Sequence, residues 1–181
     1  MGKNVAGILV WLSACVLGCA SEEPSPLPPA EDPAGSFVVF GSLCSDGLLF
    51  NGAVSDIVLQ RIEPGGPELL VEPYRRGSMF FTDPLPVGGG WKISSFTTEG
   101  GTLVTVRTEA PGGASPLVFY AESPGLLFLG SFSTADREIL LPSDVTRRDV
   151  PTELDLLRDL LDAYRGTPWE KVILSRIHSR H

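Results

Sequence analysis

Five side chains in this sequence carry chemistry that most residues cannot perform: the thiols of Cys15, Cys19 and Cys44 and the imidazoles of His178 and His181. A thiolate is a nucleophile and a metal ligand, and an adjacent histidine can act as its base. However, Cys15 and Cys19 follow an apolar run near the start of the chain, and both histidines lie at its other end. This spacing favours a separate role for the first two thiols.

The run before these cysteines is typical of a secretory signal. Lys3 supplies a positive start, and residues 5–17 are largely apolar. Spanning a bilayer needs about 20 consecutive apolar residues, and this run is shorter, as is every apolar stretch after residue 19. We therefore predict a signal peptide over residues 1–18, the alternative being an ordinary secretory signal in which both cysteines are incidental.

The end of the signal carries a more specific pattern. Val16-Leu17-Gly18-Cys19 resembles the lipobox of bacterial lipoproteins, which implies that the Cys19 thiol receives a diacylglyceryl group before cleavage. An earlier match, Leu12-Ser13-Ala14-Cys15, is the alternative lipidation site. We favour Cys19 because cleavage at Cys15 would leave a very short apolar run and place two apolar residues in the mature tether.

A spacer follows the lipidation site. Residues 20–35 contain five prolines and four acids, and almost no large apolar side chains. Such a segment cannot bury enough surface to fold, so residues 19–35 are predicted to be the lipidated cysteine and a disordered, extended tether. The expected partner is a lipid bilayer, since each buried methylene of an acyl chain contributes about 0.8 kcal/mol. The resemblance further implies that Ala20 directs the protein to the outer membrane, on its periplasmic face.

Residues 36–142 have the pattern of a β-sheet domain. Short apolar and β-branched runs alternate with Gly/Pro clusters about every ten residues, which is typical of an antiparallel sandwich or barrel. We predict a mainly β fold, an antiparallel sandwich of about seven or eight strands. The predicted strands cover 36–43, 55–62, 67–72, 78–82, 91–97, 102–108, 117–122 and 126–132.

Residues 143–181 are predicted to form a C-terminal helical hairpin. Thr152 and Asp155 have capping-box spacing, and Leu154, Leu157, Leu161 and Tyr164 recur at helical spacing before Gly166. Pro168 suits the first turn of a second helix, and the apolar stripe of that helix is Trp169, Val172, Ile173 and Ile177. We expect the pair to pack on the sandwich or to cover one of its open edges.

One stretch resembles a known domain family. Gly77-Ser78-Met79-Phe80-Phe81, followed by Leu85-Pro86-Val87-Gly88-Gly89-Gly90-Trp91-Lys92-Ile93, is similar to the G-x-F-x-F…L-P-x-G-x-Y-x-L pattern of prealbumin-like domains, also called transthyretin-like or carboxypeptidase-regulatory-like. Trp91 stands where the family usually has tyrosine. The resemblance implies the β-sandwich of bacterial envelope lipoproteins of this type and supplies no catalytic residues.

The remaining candidates for chemistry are interpreted as structural. Cys44 is expected to be a buried small hydrophobe, with an intermolecular disulfide or catalysis as alternatives. His178 and His181 are a poor metal site beside arginines, and the Asp46 loop has too few carboxylates for calcium. Gly88-Gly89-Gly90 leads into a strand rather than a helix, which argues against a phosphate loop. The pairs Arg75-Arg76 and Arg147-Arg148 are expected to be solvated.

These interpretations define the expected function. With 22 acids against 14 bases the chain has a net charge of −8, which argues against nucleic-acid binding. We expect no enzyme, cofactor or metal, but an envelope lipoprotein with a binding or structural role and an envelope protein or glycan as partner. The alternatives are a carbohydrate- or peptidoglycan-binding module that uses exposed Trp91 or Tyr120, and an unrecognised hydrolase. We expect both aromatic residues to lie in the core.

Overall fold

The computed structural model describes residues 32–46, 51–62, 66, 68–74, 78–107, 109–110, 113–134 and 143–180. The signal and the tether up to residue 31, with both candidate lipidation sites, lie outside the described residues. Within them, no helix combines the length and the apolarity needed to cross a bilayer.

The described chain is mainly β, as predicted. Its strands are β1 (Ser36–Asp46), β2 (Asn51–Arg61), β3 (Glu68–Val71), β4 (Met79–Phe81), β5 (Leu85–Pro86), β6 (Gly90–Thr98), β7 (Leu103–Thr105), β8 (Glu109–Ala110), β9 (Gly113–Ala114), β10 (Val118–Tyr120), β11 (Gly125–Thr134) and β12 (Val145–Arg148). Its helices are α1 (Glu153–Ala163) and α2 (Trp169–His178). Each of the eight predicted strands is present; β5, β8, β9 and β12 were not predicted.

The sheet is mixed rather than antiparallel, which corrects the predicted arrangement. Ten strands form one sheet with the order β10-β6-β2-β1-β11-β12, to which β3, β4, β5 and β7 pair, while β8 and β9 form a separate pair. β1 and β11 run parallel from Phe37–Gly125 to Ser45–Thr134. Turn signals indicate the direction of strands joined by a short turn, but β1 and β11 are separated by most of the domain. The predicted number of strands is also too low, because the additional strands are only two to four residues long.

The sheet curls because β2 changes partners along its length. Its first residues, up to Ala53, pair with β1, whereas residues from Val54 onward pair with β6, and Ile57 to Gln60 also pair with β3. The two halves of the sheet thus share one apolar cluster. It contains Phe37, Val39, Leu43, Val54, Ile57, Leu59, Val71, Phe80, Leu85, Trp91, Ile93, Phe96, Val104, Val106, Leu117, Phe119, Ala121 and Phe132.

A second apolar cluster lies on the opposite face of β1. Val38 and Phe40 alternate with the side chains of the first cluster and pack instead against the helices. A strand that is buried on both faces explains the nearly continuous apolar run at the start of β1. The helical hairpin packs on this side of β1, β4 and β11, which we call the covered face. The second cluster consists of Val38, Phe40, Met79, Leu156, Leu157, Leu160, Tyr164, Trp169 and Ile173.

The helix boundaries follow the predicted signals. The Thr152 side chain accepts a hydrogen bond from the Asp155 backbone N–H, and the Asp155 carboxylate accepts one from the Thr152 N–H, which completes the capping box. Gly166 has φ of +78°, a conformation that glycine adopts without strain, and it separates the helices. Pro168 has helical dihedral angles immediately before α2. In α1, however, Leu156 and Leu160 are buried in place of the predicted Leu154 and Leu161, which are half-buried.

Candidate functional site

The candidate lipidation residues Cys19 and Cys15 lie outside the described residues, as do Arg75, Arg76 and His181. His178 is exposed in the last turn of α2. The described part of the chain contains no group of three or more histidine, cysteine or acidic side chains that could hold a metal ion.

Cys44 lies near the end of β1 and is only partly buried, contrary to the expectation of a buried side chain. Nη1 of Arg148, on β12, donates a hydrogen bond to its sulfur over 2.7 Å and lies 3.6 Å from Oδ1 of Asp46. The Cys44 thiol also lies 3.5 Å from the Phe132 carbonyl oxygen. Arg147 and Arg148 are exposed, as expected, but the contacts of Arg148 were missed because the sequence gives no indication that β12 is a strand.

The charge state of this group argues against nucleophilic chemistry. Burial raises the pKa of the Cys44 thiol above its ordinary value, and Asp46 adds to this rise, while the hydrogen bond and the charge of Arg148 oppose it. The pKa of Arg148 is raised chiefly by its hydrogen bond to Cys44. A thiol with a raised pKa is protonated at neutral pH and is a poor nucleophile. We interpret the group as a polar bridge between β1 and β12.

The glycine run before β6 has the predicted arrangement. Gly88 and Gly89 have φ of +96° and +86°, and Gly90 begins β6, so the run joins two strands. Gly88 N–H donates to the Ala121 carbonyl, which ties this turn to the end of β10. The side chain at Trp91 is buried as expected, with 3% of its surface exposed.

Tyr120, by contrast, is 63% exposed, and the expectation that it lies in the core is wrong. It is paired with Gly90 in the β10–β6 register, and Ile62 N–H donates to the Gly90 carbonyl from the other side. A Cβ atom on Gly90 would lie 2.6 Å from Cε1 of Tyr120 and 2.8 Å from Cδ1 of Ile62. The side chains of Tyr120 and Ile62 therefore lie next to each other, directly above Gly90.

Tyr120 belongs to a larger exposed surface, which we call the uncovered face. It is formed by the outward side chains of β3, β2, β6, β7 and β10, whose alternate residues, such as Leu59, Ile93 and Phe119, enter the first core cluster. Among the described residues, five large apolar side chains are exposed, and all but Val150 lie on this face: Ile62, Leu70, Leu103 and Tyr120. Isolated exposed apolar residues are common, but Tyr120 and Ile62 lie side by side at Gly90, so we treat this end of the face as the candidate binding surface.

Polar side chains separate these apolar groups. Gln60 pairs with Lys92 on one side and with Glu68 on the other, and its Nε2 donates to Oε1 of Glu68 over 3.0 Å. Sequence alternation places Gln60 and Lys92 on one face of their strands.

The exposure of Tyr120 was missed because β10 is only three residues long, too short for its alternation to be distinguished from a buried strand.

An open cavity of about 490 Å³ lies beside an irregularity in β2, and it is lined by Val54, Ser55, Asp56, Glu72, Pro73 and Glu99. Asp56 has φ of +47° where the β2–β6 register shifts. The sequence gives no signal for this acidic cavity, because its residues come from separate segments of the chain.

Comparison of the chain with protein-family models, with curated proteins and with solved structures yields no match.

Proposed function

We propose that this chain is a lipoprotein of the bacterial cell envelope, anchored through Cys19, whose β-sheet domain has a non-catalytic binding or structural role. The observation that carries the proposal is the apolar run ending in Val16-Leu17-Gly18-Cys19, followed directly by a proline-rich acidic spacer. The spacer leads into the described domain at Asp32. We propose the periplasmic face of the outer membrane as its location, because Ala20 follows the lipidated cysteine.

The geometry of the domain is compatible with attachment at one end. The Asp32 carbonyl accepts hydrogen bonds from Gly35 N–H and Ser36 Oγ, which fixes the entry of the chain into β1. Cys44 lies eight residues after Ser36, the first residue of β1, which corresponds to about 26 Å at about 3.3 Å per residue. An anchor at residue 19 would therefore leave the Cys44–Arg148 group at the end of the domain remote from the tether.

The closer description of the domain as a prealbumin-like sandwich is part of the same proposal. It is supported by the first apolar cluster, to which both halves of the curled sheet contribute. The pairing of β4 and β5 with β1 also keeps the segments of the family-like pattern beside one another.

Metabolic labelling with an alkyne palmitate tests the anchor. The full chain is expressed in a Gram-negative host as wild type, Cys19→Ala, Cys15→Ala and Cys44→Ala. We expect loss of label only in Cys19→Ala, together with recovery of the wild-type protein in the outer-membrane fraction of a density gradient. Cys44→Ala is the matched control, since it removes a thiol of the described domain.

Two outcomes would contradict the proposal or its site. Label that persists in the double variant Cys15→Ala/Cys19→Ala would exclude lipidation at either residue. Loss of label only in Cys15→Ala would move the anchor to the alternative site.

A second candidate function is glycan binding, and the exposure of Tyr120 favours it. An aromatic ring that is open to solvent can stack on the apolar face of a sugar ring, whereas the buried Trp91 cannot. This role is compatible with the lipid anchor, because a tethered domain can hold a glycan near the membrane.

A further inference from the structure

We propose that the uncovered face binds a neutral, extended polysaccharide, with one sugar ring stacked on Tyr120. This inference rests on the glycan-binding role proposed above and names its site and the class of its ligand.

Tyr120 supplies the stacking surface. Its ring edge lies above Gly90, where a larger residue would displace it, and the side chain of Ile62, directly after β2, lies beside the same position. One edge of the ring thus lies against the Gly90 backbone while 63% of the residue remains exposed. A supported aromatic ring loses little conformational freedom on binding, so most of the stacking free energy is retained.

The adjacent row of side chains supplies hydrogen-bonding groups. Lys92 lies two residues from Gly90 on the same face of β6, and Gln60 is its partner on β2. The amide of Gln60 is already oriented by its hydrogen bond to Glu68. Apolar contact beside oriented donors and acceptors suits a sugar, which presents C–H groups on its ring faces and hydroxyls at its edge.

The charges on the face favour a neutral ligand over an anionic one. Lys92 and Glu68 flank Gln60 in the same row and offset each other. An anionic polymer or a lipid headgroup would meet the carboxylate of Glu68 beside the only nearby ammonium group in this row, Lys92, among the described residues.

Isothermal titration calorimetry tests the site on the full-length protein in detergent. The probes are cellohexaose and chitohexaose, which are extended β-1,4-linked chains, and maltohexaose, which coils. We expect the wild type to bind at least one extended probe more tightly than maltohexaose. Tyr120→Ala should weaken that binding about tenfold through loss of the stacked ring area. Tyr120→Phe should retain it, because the ring is kept.

Val150→Ala is the matched control, since Val150 is comparably exposed and lies off the face. Circular dichroism verifies that each variant is folded. Absence of binding to both extended probes, equal binding of maltohexaose, or binding that Tyr120→Ala leaves unchanged would overturn the site. A wild-type dimer in sedimentation that Tyr120→Ala dissociates would assign the face to a second copy instead.

The assay is also run on Cys19→Ala. If glycan binding is unchanged in this variant, the site does not depend on the anchor. The lipidation proposal and the glycan-site proposal can then fail independently of each other.

Discussion

The two outer faces of the curled sheet differ in what lies against them. The covered face, formed by β1, β4 and β11, packs against α1 and α2 and buries aromatic residues such as Phe40 and Trp169. The uncovered face exposes Leu70, Leu103 and Tyr120 at more than 60% of their surface. The helical hairpin thus contributes a second core to one half of the sheet only.

This difference separates stability from recognition. Side chains that fill the second cluster stabilise the fold, and their removal leaves cavities. Truncation of side chains on the uncovered face should change the free energy of unfolding little, because these side chains are already in contact with water. Apolar residues should therefore respond differently to truncation according to the face on which they lie.

The largest contrast is expected between Trp169→Ala and Leu70→Ala. Trp169 is fully buried, and its ring centroid lies 6.2 Å from that of Tyr164, so truncation should lower the free energy of unfolding by about 3–5 kcal/mol. Leu70 is 63% exposed, and its truncation should change that free energy by no more than about 0.5 kcal/mol. Urea unfolding followed by circular dichroism measures both. Similar losses for the two variants would mean that the uncovered face is packed in solution.

The fold was predictable from the sequence wherever the signals are local. The capping box at Thr152 and the stop at Gly166 depend on contacts within four residues, and both are confirmed. The parallel pairing of β1 with β11 joins residues about 88 positions apart, as in Phe37 with Gly125, and no local pattern encodes it. The buried face of α1 is displaced from the predicted stripe because the direction of packing, rather than periodicity alone, selects Leu156 and Leu160.

A close contact between β1 and β11, on the side of β1 that faces the first cluster, gives the next effect. A Cβ on Gly41 would lie 2.8 Å from the Gly130 carbonyl oxygen and 3.0 Å from the Phe80 ring. Gly41→Ala should therefore force β1 and β11 apart and lower the free energy of unfolding by about 1–3 kcal/mol. Gly35→Ala is the control, because no atom lies within 4 Å of its Cβ position. The interpretation fails if thermal unfolding shows equal midpoints for the two variants.

A hydroxyl group provides a finer comparison of the two faces. Tyr164 is buried, and its hydroxyl donates to the Thr82 carbonyl over 2.9 Å, joining the helices to the segment after β4. Burial raises the pKa of this phenol above its ordinary value, so it stays a donor at all moderate pH values. Tyr164→Phe should cost about 1 kcal/mol, since the carbonyl loses its partner.

Tyr120→Phe is the matched variant on the uncovered face. Its hydroxyl is on an exposed side chain, so we expect no measurable change in the urea midpoint. A loss in Tyr120→Phe equal to that in Tyr164→Phe would show that the Tyr120 hydroxyl has a structural partner in solution.

The candidate site was less predictable than the fold, for a physical reason. The proposed lipidation rests on a contiguous run ending at Cys19, which a single sequence can display. The uncovered face depends on which half of the sheet the helices cover, and the sequence left open whether they pack on the sheet or on its edge. The apolar content of Leu70, Leu103 and Tyr120 is equally compatible with core positions, so their exposure follows only from the tertiary arrangement.

The smallest effect expected is at the start of α1, where the covering hairpin begins. Hydrogen bonds from the Thr152 side chain and backbone lower the pKa of Asp155 below its ordinary value of 3.8. Because the folded-state pKa is the lower one, the stabilisation is complete above the ordinary value and disappears as the pH falls through the folded value. Asp155→Ala should therefore lower the urea midpoint at pH 6, and the difference from wild type should shrink progressively as the pH falls below 3.8. The contact between the Arg158 guanidinium and the Asp155 carboxylate contributes least to the lowered pKa of Asp155. Arg158→Ala should therefore leave the pH dependence nearly unchanged. A difference between wild type and Asp155→Ala that is independent of pH would show that the carboxylate does not hold the cap, and that the hairpin is fixed on the covered face by its apolar contacts alone.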